Sequence, residues 1–276
     1  MKSLSFSQIW GRSALLLATF GLLSGCKAPL FGSKKQEEVY VAGAPGQRGP
    51  AYTPAPGGAW NPSMNVPRGG VGNSVSYSRI NISQPIVAMT FDDGPHPSNT
   101  PRLLDMLRQR NIKATFYVVG TNAQRYPEIL RRMVAEGHEI GNHTLNHAYI
   151  NKLSNDGIRR ELTASHQAIV SATGIAPRTM RPPYGAITTA QKQWIRSEFG
   201  YPSILWAVDP EDWKRPGSSV VANRILSQTR PGAIILAHDI HAPTIDAMPA
   251  ALDGLLAKGY RFVTVTQLIA LENTSG

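Results

Sequence analysis

The sequence predicts an α/β fold, a (β/α) barrel of about seven parallel strands with its active site at the C-terminal strand ends. Three observations lead there. From Pro85 onward short β-rich runs alternate with amphipathic stretches, seven of the former and six of the latter, the pattern of a parallel sheet wrapped by helices. Five of the runs are followed at once by carboxylates, imidazoles or a guanidinium. The chain of 276 residues is 42% hydrophobic, enough for one sizeable core and some flanking sequence. Alternation alone suits a doubly wound sheet equally well. The convergence of five strand ends on one site favours the barrel.

The expected strands are 86–91, 114–119, 138–141, 178–181, 203–208, 233–237 and 261–265. Helical patterns lie near 101–110, 127–136, 158–172, 189–199, 220–228 and 249–258. Thr100 before Pro101 has the form of an N-cap followed by proline at the first helical position. Glu136-Gly137 and Lys258-Gly259 have the form of helix ends with glycine just beyond.

Upstream the texture differs. Two cations and no acid precede the mostly apolar run 14–23, as in a secretory signal, and ten residues are about half a bilayer span. Leu23-Ser24-Gly25-Cys26 resembles a bacterial lipobox, so residues 1–25 are expected to be a lipoprotein signal peptide and Cys26 the lipidated residue. Lys27 at the next position suggests, by the same resemblance, passage to the outer membrane of a host that has one. Residues 27–78 contain seven Pro and nine Gly and too little apolar periodicity to offset ordering entropy. Residues 26–84 are therefore expected to be a lipidated, flexible tether and 85–276 the catalytic domain.

The net charge of +10 first suggests an acidic partner such as nucleic acid. Its distribution argues otherwise. Residues 1–84 hold eight Lys/Arg against two Glu, and residues 85–276 hold 20 against 16, so most of the excess lies outside the expected domain. With one cysteine the chain has neither an internal disulfide framework nor a Cys-rich zinc module. No nucleic-acid and no protein partner is implied.

Each chemistry-bearing segment has a plain reading when taken singly. Asp92-Asp93-Gly94-Pro95 could be a turn, although two carboxylates in one cleft need a cation or a proton between them. His143 and His147, four apart, would face the same way on a helical turn and suit a divalent ion together with one Asp, leaving open positions. Arg181-Pro182-Pro183-Tyr184 is a stiff turn whose Arg could pair a buried carboxylate. Asp209-Pro210-Glu211-Asp212-Trp213 sets carboxylates beside a large apolar ring, and Leu236-Ala237-His238 ends an apolar strand. Outside these segments His96 and His138 flank motifs, His166 is expected mid-helix and exposed, and His241 has no role to assign. Five strand ends that each supply such groups are not a coincidence of composition.

In this order the segments Thr-Phe-Asp-Asp-Gly at 90–94, His-Thr-x-x-His at 143–147, Arg-Pro-Pro-Tyr at 181–184, Asp-x-x-Asp-Trp at 209–213 and Leu-x-His at 236–238 resemble the polysaccharide deacetylase family (carbohydrate esterase family 4). The resemblance covers about two thirds of the chain. It implies a distorted barrel with fewer than eight strands, and removal of N- or O-acetyl groups from polymers such as peptidoglycan, chitin or xylan. It further implies Asp93, His143 and His147 as ligands of a divalent metal, most often Zn2+. Asp92 would be the general base held by Arg181, and His238 the general acid tuned by Asp212. The Tyr184 N–H would complete an oxyanion hole, and Trp213 and Leu236 would line the acetyl pocket. No motif residue is missing. The expected partner is an acetylated polysaccharide, with the membrane reached through Cys26. An O-acetyl esterase on xylan-like glycans and a surface glycan-binding protein without turnover are the competing readings.

Overall fold

The structure is a computed structural model and describes residues 71–274. The expected signal peptide, Cys26 and most of the expected tether lie outside the described residues.

The centre is strand β2 (Ile86–Asp92), buried at every position. Strands β3 (Thr115–Val118) and β4 (Glu139–Asn142) continue the sheet from one edge of β2, and β6 (Ile234–Ile235) pairs with the other edge, all in parallel. Single bridges close the ring: Asn142 with Met180, Met180 with Ser203 at the start of β5 (Ser203–Ile204), and Val208 with Ile235. The expected strand 178–181 is thus reduced to one bridging residue. The expected strand 203–208 pairs only at its two ends. Two short strands enter as wedges. β7 (Arg261–Phe262) pairs with the first half of β2, below β3. β1 (Ser76–Tyr77) runs parallel to β5, and Arg79 bridges to Ala233 next to β6. Closure by single bridges and wedges makes the barrel distorted.

Alternation along β2 divides its side chains between two compartments, because successive residues of a strand point to opposite faces. Val87, Met89 and Phe91 face outward and pack under the helices in the main core. Ile86 and Ala88 face inward, with Tyr77, Ile80, Tyr117, Ile204 and Ile234. The inward row continues through Thr90 to Asp92, so the same periodicity that fills the barrel delivers a carboxylate to its mouth.

The helices follow from local signals. α1 (Asn99–Gln109) buries Leu103, Leu104 and Leu107. It begins two residues before the expected start, with Ser98 rather than Thr100 at the N-cap. The Thr100 hydroxyl is used elsewhere, accepting from the His96 N–H at 2.8 Å and donating to Asp239 at 2.5 Å. Pro101 is still tolerated, since first-turn N–H groups have no intrahelical partner. α2 (Gly120–Arg125) was not expected, and α3 (Pro127–Ala135) ends before left-handed Gly137 as predicted. α4 (Asn155–Thr173) is capped by the Ser154 side chain and closed by left-handed Gly174. α5 (Thr189–Phe199) starts in a Thr188–Gln191 capping box and α6 (Ser218–Gln228) follows Gly217. α7 (Ala242–Ala257) starts seven residues before the expected helix and runs through Pro249. That proline looks like a helix start in sequence, but the turn before it buries Thr244, Ile245, Ala247 and Met248. α8 (Val265–Ala270), opened by a Thr264–Gln267 capping box, replaces the last residue of the expected final strand.

The expected domain start at residue 85 falls inside the folded part. Val71, Tyr77, Ile80 and Ile82 are buried, and the Arg196 guanidinium donates to the Val71 and Gly72 carbonyls. Gly232, at φ 75°, lets the Ile80 carbonyl approach so closely that a Cβ there would sit 1.8 Å from the oxygen. Residues 71–84 therefore belong to the barrel and not to a flexible tether. His166 differs too. It lies in α4 but is buried, its Nδ1 2.5 Å from the Tyr201 hydroxyl, because that face of the helix turns inward.

Candidate active site

The strand ends bring together the residues that the sequence singles out. Asp92 closes β2, and the next residue, Asp93, has φ 74°. That left-handed turn swings the second carboxylate back over the barrel mouth instead of letting it alternate away. His143 directly follows β4. The segment 143–147 is an irregular loop and not a helical turn, with Thr144 at φ 62° and His147 at φ 58°. The helical argument for the two imidazoles therefore fails, although the two rings still converge on Asp93. Their Nε2 atoms lie 3.3 and 3.1 Å from Asp93 Oδ1, and the three ligand atoms are within 4.8 Å of one another.

Groups outside the motifs hold that loop. Asn142 Oδ1 accepts from the Thr144 N–H at 2.9 Å, and Glu161 Oε2 accepts from the Leu145 and Asn146 N–H groups at 3.0 and 2.9 Å. Gly120 and Thr121, opening α2, donate to the Thr144 and Leu145 carbonyls. Nothing in the spacing of Glu161 or Asn142 marks them in sequence. Left-handed backbone at bulky residues is costly, on the order of 1–3 kcal/mol each, and collects where function over-determines the geometry. Of the seven such residues among those described, Asp93, Thr144, His147 and Tyr184 lie in the motifs, Glu211 and Arg215 flank the Asp212 turn, and Asn111 lies elsewhere.

These three residues fit a divalent cation. Asp93 Oδ1 is buried without an aligned hydrogen-bond donor although two imidazole nitrogens stand beside it. Two nitrogens and a carboxylate oxygen are a donor set used by open catalytic sites. Burial alone would raise the Asp93 carboxyl, but the adjoining His143 and His147 outweigh it and hold the group well below the usual carboxylate range. The other ring nitrogen of His143 donates to the Arg181 carbonyl at 2.8 Å, which leaves Nε2 free to ligate.

Arg181, fully buried, donates from one nitrogen to Asp92 Oδ1 and to Thr90 Oγ1, both at 2.7 Å. It also reaches the Ile204 and Leu205 carbonyls, and its guanidinium lies 4.3 Å over the Tyr117 ring. Asp92 is thereby fixed with its second oxygen 3.9 Å from His143 Nε2. Across the mouth, His238 follows β6 and donates both its backbone N–H and its Nδ1–H to Asp212, each at 2.8 Å. Thr244 of α7 donates to the same carboxylate at 2.9 Å. Burial would lower the His238 imidazole, but Asp212 overrides that and raises it to about 9. Leu236 is buried just after β6, whereas Trp213, in the turn Asp212–Lys214, is half exposed. Tyr184 sits in the turn Pro183–Gly185 with φ 62°.

The comparisons with known proteins agree with this geometry. A sequence model described as polysaccharide deacetylase matches residues 79–204. Over 215 residues the chain is 36% identical to a peptidoglycan-N-acetylglucosamine deacetylase of Bacillus cereus, covering 76% of each protein. The chain belongs to the polysaccharide deacetylase family. It is also 41% identical over 182 residues to the peptidoglycan-N-acetylglucosamine deacetylase PgdA of Listeria monocytogenes, covering 66% of this chain but only 38% of that protein. Among solved structures, a T48 deacetylase with substrate superposes with a TM-score of 0.65 at 44% identity, covering 68% of this chain and 92% of the other.

Family membership accounts for the five motifs and leaves several neighbours to the structure alone. Asp239 is one, fully buried beside Gly94, where a Cβ would stand 2.3 Å from its carboxylate. Burial raises its carboxyl to about 7. His241, just before α7, has its ring 6.1 Å from that of His238, and nothing in the structure assigns it a role.

Proposed function

We propose that the chain is a metal-dependent hydrolase that removes N-acetyl groups from an amino-sugar polysaccharide, peptidoglycan above all. The observation that carries this is the placing of a carboxylate and a raised imidazole beside one Asp93–His143–His147 triad. Asp92 is held by a buried guanidinium, and His238 is kept protonated by Asp212.

Asp93, His143 and His147 would hold the ion, Zn2+ by their donor set. Once bound, such an ion supplies Lewis acidity, acidifying water and polarising an acyl oxygen. The chain's own groups do the rest. Asp92 accepts a proton from the attacking water, its position fixed by the Arg181 hydrogen bond. The acyl oxygen gains charge as the tetrahedral carbon forms, and the Tyr184 backbone N–H is assigned as its donor, worth on the order of 3 kcal/mol in comparable sites. His238 then gives its proton to the departing nitrogen. An amine leaves poorly unless protonated, so an imidazolium held at neutral pH is the acid this reaction needs. Leu236 and Trp213 are assigned to the acetyl methyl.

The N-terminal signal and lipidation at Cys26 would place the enzyme outside the cytoplasm beside the wall polymer. Among the described residues no helix is long and apolar enough to cross a membrane. The substrate assignment is supported by the names of several relatives, which are peptidoglycan deacetylases, beside one named chitooligosaccharide deacetylase. The test is mass spectrometry of purified peptidoglycan treated with the zinc-loaded protein. Loss of acetyl groups from glycan amines is expected, abolished by chelation and by Asp92→Asn or His238→Ala. Unchanged acetate release from either variant would remove the mechanism.

A further inference from the structure

The two imidazole ligands are not supported alike. An imidazole that offers Nε2 to a cation is neutral and carries its proton on Nδ1, so that proton needs an acceptor that also fixes the ring. For His143, 2% exposed, the acceptor is the Arg181 carbonyl inside the barrel wall. For His147, 27% exposed, the loop offers no such wall. Its Nδ1 meets the Tyr184 hydroxyl at 3.1 Å.

That phenol is held in place by a residue outside every motif. The Tyr149 ring is stacked on Tyr184 with centroids 3.8 Å apart and planes 7° from parallel. The Lys152 ammonium lies 4.6 Å from the centroid of Tyr149. A face covered by a ring at 3.8 Å leaves no room for a second group, so Lys152 occupies the opposite face. Beneath this stack Ile150 is fully buried and its carbonyl accepts from Gln191 Nε2 at 3.0 Å. Tyr149 and Tyr184 remain 44% and 54% exposed, so core packing explains neither ring. The left-handed backbone at Tyr184 aims its side chain at His147 at a conformational cost that a merely decorative ring would not sustain. Together the layers run Lys152, Tyr149, Tyr184, His147, from solvent to the ligand triad.

We propose that Tyr149 is a positioning residue, which through its stack on Tyr184 sets the orientation of the metal ligand His147. The proposal rests on the metal site assigned above. Its test uses Zn2+ alone, with affinity measured by chelator competition, and NMR of the hydrogen exchange of the His147 Nδ1–H in the zinc-loaded protein.

Tyr184→Phe keeps the stack and deletes the acceptor. It is expected to weaken Zn2+ binding by about 10- to 100-fold, the usual effect of losing an outer partner of a ligand, and to speed exchange of the His147 Nδ1–H. Tyr149→Ala should shift both readouts in the same direction by less, and Tyr149→Phe, which keeps the stack, should restore them. Wild-type Zn2+ affinity and unchanged exchange of the His147 Nδ1–H in Tyr184→Phe would overturn the brace. So would a Tyr149→Ala variant altered only in its KM for glycan, which would make the stack a sugar contact. Failure of the metal-site reading looks different: the wild-type protein itself would bind no Zn2+, and His143→Ala would change nothing.

Discussion

Asp212→Asn isolates the tuning of the proposed acid. In the wild-type site the carboxylate accepts from the His238 Nδ1–H, from its backbone N–H and from Thr244. An amide keeps the shape but not the charge, and its oxygen can accept on one side only, because its NH2 replaces the other acceptor. Burial then acts on His238 with its main opponent gone, and the imidazole moves from about 9 towards the ordinary 6.5, about 3 kcal/mol of preference for the charged form. At pH 8 the protonated fraction falls from about 90% to about 3%, an effect of about 30-fold, while at pH 6 it changes by less than about twofold. Asp92 and Asp93 also favour the charged imidazole, and a bound dication opposes them. The clean assay is therefore NMR titration of His238 in the metal-free protein, followed by the pH–rate profile of the zinc-loaded enzyme. The expected result is a lowered His238 titration and a basic limb displaced to lower pH. A variant whose His238 titrates as in the wild type would refute the reasoning. The same shift has a sign for stability. A histidine raised on folding stabilises the protein fully below pH 6.5, and that contribution is lost as pH climbs through about 9.

Arg181→Met should cost about 3–5 kcal/mol, because it leaves the Asp92 carboxylate buried without its partner; chemical denaturation should show part of this recovered when Asp92→Asn is added. Gly232→Ala places a methyl against the Ile80 carbonyl at a positive φ and should lower the thermal midpoint strongly, whereas Gly174→Ala, with open space around its Cβ, should pay only the backbone strain. A fragment beginning at residue 85 lacks Val71, Tyr77, Ile80 and Ile82. At about 1.5–3 kcal/mol for each buried side chain, that deficit rivals the whole stability of an ordinary domain. It is expected to aggregate where a fragment beginning at residue 71 stays monomeric by size-exclusion chromatography.

The site was more legible than its scaffold. Asp92, Asp93, His143, His147, Arg181, Asp212 and His238 lie in short contiguous motifs at strand ends, where residue type alone announces chemistry. The groups that aim them are distant in sequence and ordinary in type. Glu161 reads as a surface acid of α4, and Tyr149 as a loop aromatic. Among the elements, β2 was plain because Ile86–Met89 and Phe91 make a nearly unbroken apolar run. β1 was hidden because two residues amid Pro and Gly acquire meaning only from β5 beside them. Pro249 misled for a related reason: its local preference for a helix start yields to the packing of Ile245 and Met248 in the preceding turn. The left-handed His147 loop shows the same limit, since i, i+4 spacing encodes proximity without specifying a helix.

The wedge formed by β1 also sets a direction. In parallel pairing with β5, the described chain enters at the N-terminal ends of the strands, where the Tyr77 hydroxyl donates to Glu272 near the other terminus. The catalytic mouth lies at the opposite pole. The first described residues therefore share the floor of the barrel with the N-terminal strand ends, so an addition at Val71 adds bulk at the pole away from the cleft.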